Sequence, residues 1–223
     1  MSGRWTTRCA PATWPVRAPL LRRRTCHYER IEPVAELFND LDKSMDSRAD
    51  DYEKKEADPT FRGFHRIEMA IFKQGSTADI APVADKLLAD TLTLQQRLAD
   101  LVVPPGKMVG GAADLIEEVS ATKITGEEDR YSCTDLWDFQ ANMDGSDKIF
   151  TLLCPLVHRA DPALEREIAE NFDKVDNVLD RYRVQAGFKS YDLLTPDDRK
   201  ALKGPVTLLA EDLAKLRGTL GLC

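Results

Sequence analysis

The amino-acid sequence predicts an all-α protein, an antiparallel helical bundle. Apolar residues recur three or four positions apart along most of the chain, which is the spacing of one helix face. Capping residues followed by proline mark helix starts, and no convincing run of alternating β-branched residues appears. Apolar residues make up 43% of the chain and aromatics only 7%, a balance that suits helices packed on helices better than sheets.

The first stripe is Ile31, Val34, Phe38, Leu41 and Met45, with a charge-dense polar face continuing to Asp58. Asp58-Pro59 ends it, because proline disfavours helix at the residue before it. A short helix is expected from about Gly63 to Phe72, closed by Gly75-Ser76. Ser76 and Asp79 fit a capping box for the next helix, whose stripe is Ile80, Ala84, Leu87, Leu94, Leu98 and Leu101. Pro104-Pro105-Gly106 stops the chain, and a helix follows from about Ala112 to Thr122. Residues Thr125 to Arg130 read as a polar loop. Ser132 and Asp135 can cap a helix carrying Leu136, Phe139, Met143, Phe150 and Leu153. Asp161-Pro162 places a capping residue before proline at the first helical position, ahead of Leu164, Ile168, Phe172, Val175, Leu179 and Tyr182. Thr195-Pro196-Asp197-Asp198 repeats that signature ahead of Leu202, Val206, Leu209, Leu213, Leu216 and Leu220. Gly204-Pro205 is expected to kink this last helix or to begin it afresh.

The 223 residues carry a net charge of −7, which argues against non-specific binding to nucleic-acid phosphates. The charge is uneven. Residues 1–28 hold six arginines and no acid, whereas the remainder holds 25 basic and 38 acidic side chains. Residues 1–27 are therefore expected to be a disordered Arg/Pro-rich tail or a misread gene start, and residues 28–223 the helical domain. No signal peptide is legible, since Pro and Arg interrupt every short apolar piece.

Standard motifs are mostly missing. Gly110-Gly111 lacks the Lys-Ser/Thr of a phosphate loop, and HExxH, EF-hand, GxSxG and CxxC patterns do not occur. What remains is Gly63-Phe64-His65-Arg66-Ile67-Glu68. On a helix His65 and Glu68 project from one face, and an imidazole with a carboxylate so placed can hold a transition metal. The plainer reading is a surface histidine beside a helical neighbour. A metal would need further ligands from other helices. Glu117-Glu118 and Glu127-Glu128-Asp129 are either a solvated face and loop or a hard-oxygen lining that draws cations.

The segment from Gly63 to Glu68 resembles the GxHxxE signature of imelysin-like proteins. Tyr28–Asp42, Val109–Asn142, Gly187–Leu202 and Pro205–Leu222 are similar to the iron-uptake members of that family, so the resemblance covers nearly all of residues 28–223. It implies an imelysin-like helical domain and a periplasmic role in iron uptake, beside an iron permease and a Dyp-type haem peroxidase. Iron would be captured at an HxxE-centred site and passed to the permease. Carried over by motif, His65 and Glu68 become the metal pair, and Asp85, Glu117 and Glu118 are nominated as the added carboxylates. An oxygen-rich site with one imidazole suits iron and tolerates zinc or copper in vitro. The expected departures are three. The signal peptide and cupredoxin domain usual in relatives are not found, residues 1–27 do not match, and Cys133 stands where relatives commonly read His.

Three classes of function follow: a metal-binding transport component, an imelysin-type metallopeptidase, and a metal-free helical interaction module. HxxE lacks the second histidine and built-in glutamate of HExxH, which ranks the peptidase below the transport component.

Overall fold

The computed structural model describes residues 18–222 apart from residue 186, with side chains from Thr25 onward. Helices α1 (Ala18–Ala35), α2 (Asn39–Met45), α3 (Gly63–Glu68), α4 (Ala81–Ala99), α5 (Pro105–Ala121), α6 (Asp135–Ala160), α7 (Pro162–Asp180) and α8 (Pro196–Thr219) build it. Among the described residues the only strands are β1 (Arg183–Val184) and β2 (Gly187–Phe188), an antiparallel pair. The all-α bundle expected from the periodicity is the fold. No helix among these residues is long and apolar enough to cross a membrane.

Helices α5, α6, α7 and α8 pack in a ring, each against the next and α8 back against α5. Their inward stripes form one large core that includes Ile116, Leu136, Ile168, Leu179, Leu209 and Leu213. Helix α1 lies against both α5 and α6. Two glycines let it come that close. A Cβ at Gly111 would stand 2.2 Å from the Pro33 carbonyl oxygen, and one at Gly145 2.3 Å from that of Arg30. Pro33 has no N–H to give the Glu29 carbonyl one turn back. The Asn142 side chain of α6 donates to that carbonyl instead, at 3.1 Å. A smaller apolar cluster joins α1, α2, α3 and α4 through Tyr28, Leu41, Met45, Phe64 and Leu94.

The two cap-plus-proline starts are as read. Asp161 accepts from the N–H groups of Ala163 and Leu164 at 3.0 Å. Thr195 and Asp198 form a reciprocal capping box. Elsewhere the structure corrects the sequence reading. The single helix expected from Ile31 to Asp58 is broken by a 3₁₀ turn at Glu36–Phe38 and ends at Met45. Beyond it Asp51 and Asp58 accept from the backbone N–H groups of Arg48 and Lys54, the local competition that breaks helices. Ser76 accepts from Ala78 N–H in a turn, and α4 begins only at Ala81 with Pro82 in its first turn. Pro105 starts α5 rather than separating it from Ala112, because a proline N-terminal residue needs no N–H partner. Helix α6 begins after Thr134 without a side-chain cap. Helix α8 runs unbroken through Gly204-Pro205 and so does not begin afresh there, with Leu202 and Val206 both held in the core. Residues 1–17 of the expected tail lie outside the described residues; α1 crosses the expected boundary at Tyr28, and Thr25 is already buried.

Candidate metal centre

The site sits where the α2–α4 layer meets α1, α5 and α6. Gly63 opens α3 with φ +80, a backbone conformation that glycine adopts without strain. A Cβ there would lie 2.1 Å from the Met45 carbonyl oxygen. This contact sets the start of α3 on the end of α2, whose C-terminal cap is Asp46. His65 and Glu68, one helical turn apart, are 4% and 2% exposed. The surface-histidine reading is thereby excluded. A wide π-helical turn, Met69–Lys73, follows directly, an irregularity frequent beside functional sites.

Both imidazole nitrogens of His65 face carboxylates. Nδ1 is 3.4 Å from Glu68 Oε2. Nε2 is buried without a hydrogen-bond partner. It stands 3.6 Å from Asp46 Oδ1 and 3.8 Å from Glu128 Oε1. Glu68 is anchored by its other oxygen, which accepts from Tyr131 N at 2.9 Å, Ser132 N at 2.8 Å and Ser132 Oγ at 2.9 Å. Two sets of three potential ligands therefore share one imidazole: Asp46, His65 and Glu128 on one side, His65, Glu68 and Asp129 on the other.

The 3₁₀ turn Lys123–Thr125 and Gly126, at φ +84, bring Glu128 and Asp129 inward after α5. Tyr191 pins this turn by donating to the Ile124 carbonyl at 2.6 Å. From α1, Glu29 and Glu32 enter the same region. The buried Lys123 ammonium is 2.9 Å from Glu29 Oε2 and from both Glu32 oxygens. Asn142 donates to the same two carboxylates at 3.0 and 2.8 Å. Arg48 closes the rim, 3.2 Å from Glu118 and 2.9 Å from Glu128.

The electrostatics follow from crowding acids out of water. Burial, then the charge of Glu29, raises Asp46 to about 6. Burial, then Glu68, raises Asp129 to about 7. Burial and Asp129 push Asp135 and Asp138 well above the carboxylate range. Burial would lower His65, but Asp46, Glu68 and Glu128 outweigh it and hold the imidazole well above its usual 6.5. Burial would likewise raise Glu128, and Lys123, His65 and Arg48 pull it below its ordinary value. The result is a buried centre with more acids than its own cations keep ionised. It opens through a cavity of about 480 Å³ whose walls include Glu32, Glu36, Asp46, Glu118, Lys123 and Glu128.

Of the residues nominated from sequence, His65 and Glu68 come together here. Glu118 lies at the rim with Glu32 and Glu36. Asp85 on α4 and Glu117 on α5 are exposed and belong to none of these groups. Glu29, Glu32, Asp46 and Lys123 join the centre without belonging to any motif in the sequence. Glu128 and Asp129 lay inside the acidic run noted above, but as a loop. Glu127 is exposed while the next two acids are buried, a difference set by the turn at Gly126 rather than by composition.

The sequence model of the imelysin family, also designated peptidase M75, matches residues 24–216. The chain is 60% identical over 196 residues to the iron uptake system component EfeO of Escherichia coli K12, and equally to that of Shigella flexneri. The alignment covers 88% of this chain and 52% of each relative, so the chain spans about half the length of the curated relatives it matches. With the family model spanning most of the helical core and with this identity, the chain belongs to the imelysin family.

Proposed function

We propose that the chain holds iron as cargo for an iron uptake system, with the ion between Asp46, His65 and Glu128. The observation that carries this reading is His65 Nε2, buried and unpartnered, with carboxylate oxygens of Asp46 and Glu128 at 3.6 and 3.8 Å and the three groups within 4.8 Å of one another. The separations from Nε2 are too long for hydrogen bonds. They suit two atoms bound to one ion at about 2.0–2.2 Å, which stand roughly 3–4 Å apart. Glu68 acts on the other nitrogen. By accepting from Nδ1–H it fixes the tautomer that turns the Nε2 lone pair toward the ion. Carboxylate oxygens with one imidazole suit iron, and zinc or copper compete in vitro. The relatives' name supports iron as the cargo. Periplasmic capture and hand-off to an iron permease, beside a Dyp-type haem peroxidase, are the setting we propose by the same kinship.

Equilibrium titration with Fe³⁺, delivered as a weak chelate, tests the reading. The wild type should bind, His65→Ala should bind about 100-fold more weakly or not at all, and Asp85→Asn should match the wild type. Equal binding by the wild type and His65→Ala would overturn it.

A further inference from the structure

The centre already contains a cation of its own. Lys123 is 1% exposed. Its ammonium lies 2.9 Å from Glu29 Oε2 and from each Glu32 oxygen. It is also 3.8 Å from Glu128 Oε1, the same atom that stands 3.8 Å from His65 Nε2. One carboxylate oxygen thus lies 3.8 Å from both the ammonium and the unpartnered imidazole nitrogen. An ion bound at that nitrogen would share Glu128 with the ammonium, in a region where water screens little.

The ammonium has somewhere to go. Lys123 and Glu32 both line the cavity that opens the centre to solvent. On the same cavity wall Glu36 and Glu118 bring carboxylate oxygens within 4.8 Å of one another and of Glu32. Lysine carries its charge on a flexible four-carbon stem. A swing from the inner pair, Glu29 and Glu32, to the outer pair, Glu36 and Glu118, keeps the charge beside carboxylates throughout, with Glu118 then shared with Arg48, 3.2 Å away.

We propose that Lys123 is a tethered counter-ion that the incoming metal displaces: it supplies one positive charge among Glu29, Glu32 and Glu128 in the metal-free centre, moves toward Glu36 and Glu118 on loading, and returns as the ion leaves. This rests on the metal reading above and adds to it a means of release. A carrier that leaves bare buried carboxylates on unloading would hold its cargo too tightly. A resident ammonium removes most of that penalty.

The test uses the full chain, metal-free and loaded with Zn²⁺ or with Fe²⁺ under anaerobic conditions. A limiting amine-acylating reagent is applied and modification is read by mass spectrometry, with the exposed Lys148 as internal reference. Lys123 should be protected without metal and should react about tenfold or more faster when metal is bound, while Lys148 stays constant. Lys123→Met should bind the metal about tenfold or more tighter and release it more slowly, since a competing charge is gone. Lys123 equally protected in both states, or Lys123→Met binding no tighter, would overturn the proposal. Should Lys123→Met fail to fold, the labelling of the wild type decides alone. Metal bound by the wild type and lost in His65→Ala, with Lys123 protected throughout, would sink the counter-ion and leave the metal reading standing. No metal bound by the wild type would sink both.

Discussion

The two oxygens of Glu68 do different things. Oε1 satisfies Tyr131 N, Ser132 N and Ser132 Oγ, and Oε2 faces His65. Glu68→Ala should therefore weaken metal binding by about 10–100-fold. It should also destabilise the metal-free chain by about 2–4 kcal/mol, because buried donors lose their acceptor. Glu165→Ala, at an exposed pair with His158, should change stability by less than about 0.5 kcal/mol. Denaturant unfolding and metal titration read both effects. A pH dependence belongs to the same scale. Asp46 and Asp129 are raised from 3.8 to about 6 and about 7, Glu36 from 4.5 to about 7 by burial and then Glu118, and His65 above 6.5. Each binds its proton more tightly folded than unfolded. Its stabilisation is complete below the unfolded pKa and is lost as pH rises through the folded one. Glu128 runs the other way, but its window lies below 4.5. The metal-free chain should thus melt at a higher temperature at pH 5 than at pH 8, and metal affinity should rise over the same interval as protons leave the ligands. A metal-free melting point that climbs toward pH 8 would contradict this. His65 and Glu68 were legible in the sequence because both lie on one short helix. Asp46 and Glu128 were not, because their approach to His65 depends on how α2 and the Gly126 turn pack, and one sequence carries no signal for that.

Helix α1 brings Glu29 and Glu32 into the centre only because Gly111 and Gly145 let its backbone touch α5 and α6. Gly145→Val should force α1 outward, destabilise the chain by about 1–3 kcal/mol and weaken metal binding together. Thermal melting and metal titration of that variant check the coupling; binding unchanged in a destabilised protein would separate α1 from the site. The apolar stripes of α6, α7 and α8 and the Asp161 and Thr195 caps were readable because each is a local signal of known spacing, whereas Ile31 and Ala84 of the earlier stripes are exposed. The end of α2 and the early start of α5 were not. Aspartate side chains bonding to nearby N–H groups, and a proline at a first turn, reverse what the same letters suggest in a plain helix. Gly111, read only against a phosphate loop, has its reason in tertiary contact with Pro33.

Across the described residues, the α5–α8 ring carries the large apolar core, while α2, α3 and the turn from Lys123 to Glu128 complete the candidate metal centre at its side. Cation loading should accordingly slow amide hydrogen exchange in α2, α3 and residues 123–133, and leave the middle of α7, protected in both states, unchanged. The proposed site holds iron through His65 and the surrounding carboxylates. X-ray absorption at the iron edge of the loaded chain tests it most directly. The expected spectrum shows an oxygen- and nitrogen-only shell with the outer scattering of a single imidazole, lost in His65→Ala. The same spectrum from both proteins, or an iron shell without imidazole in the wild type, would contradict it.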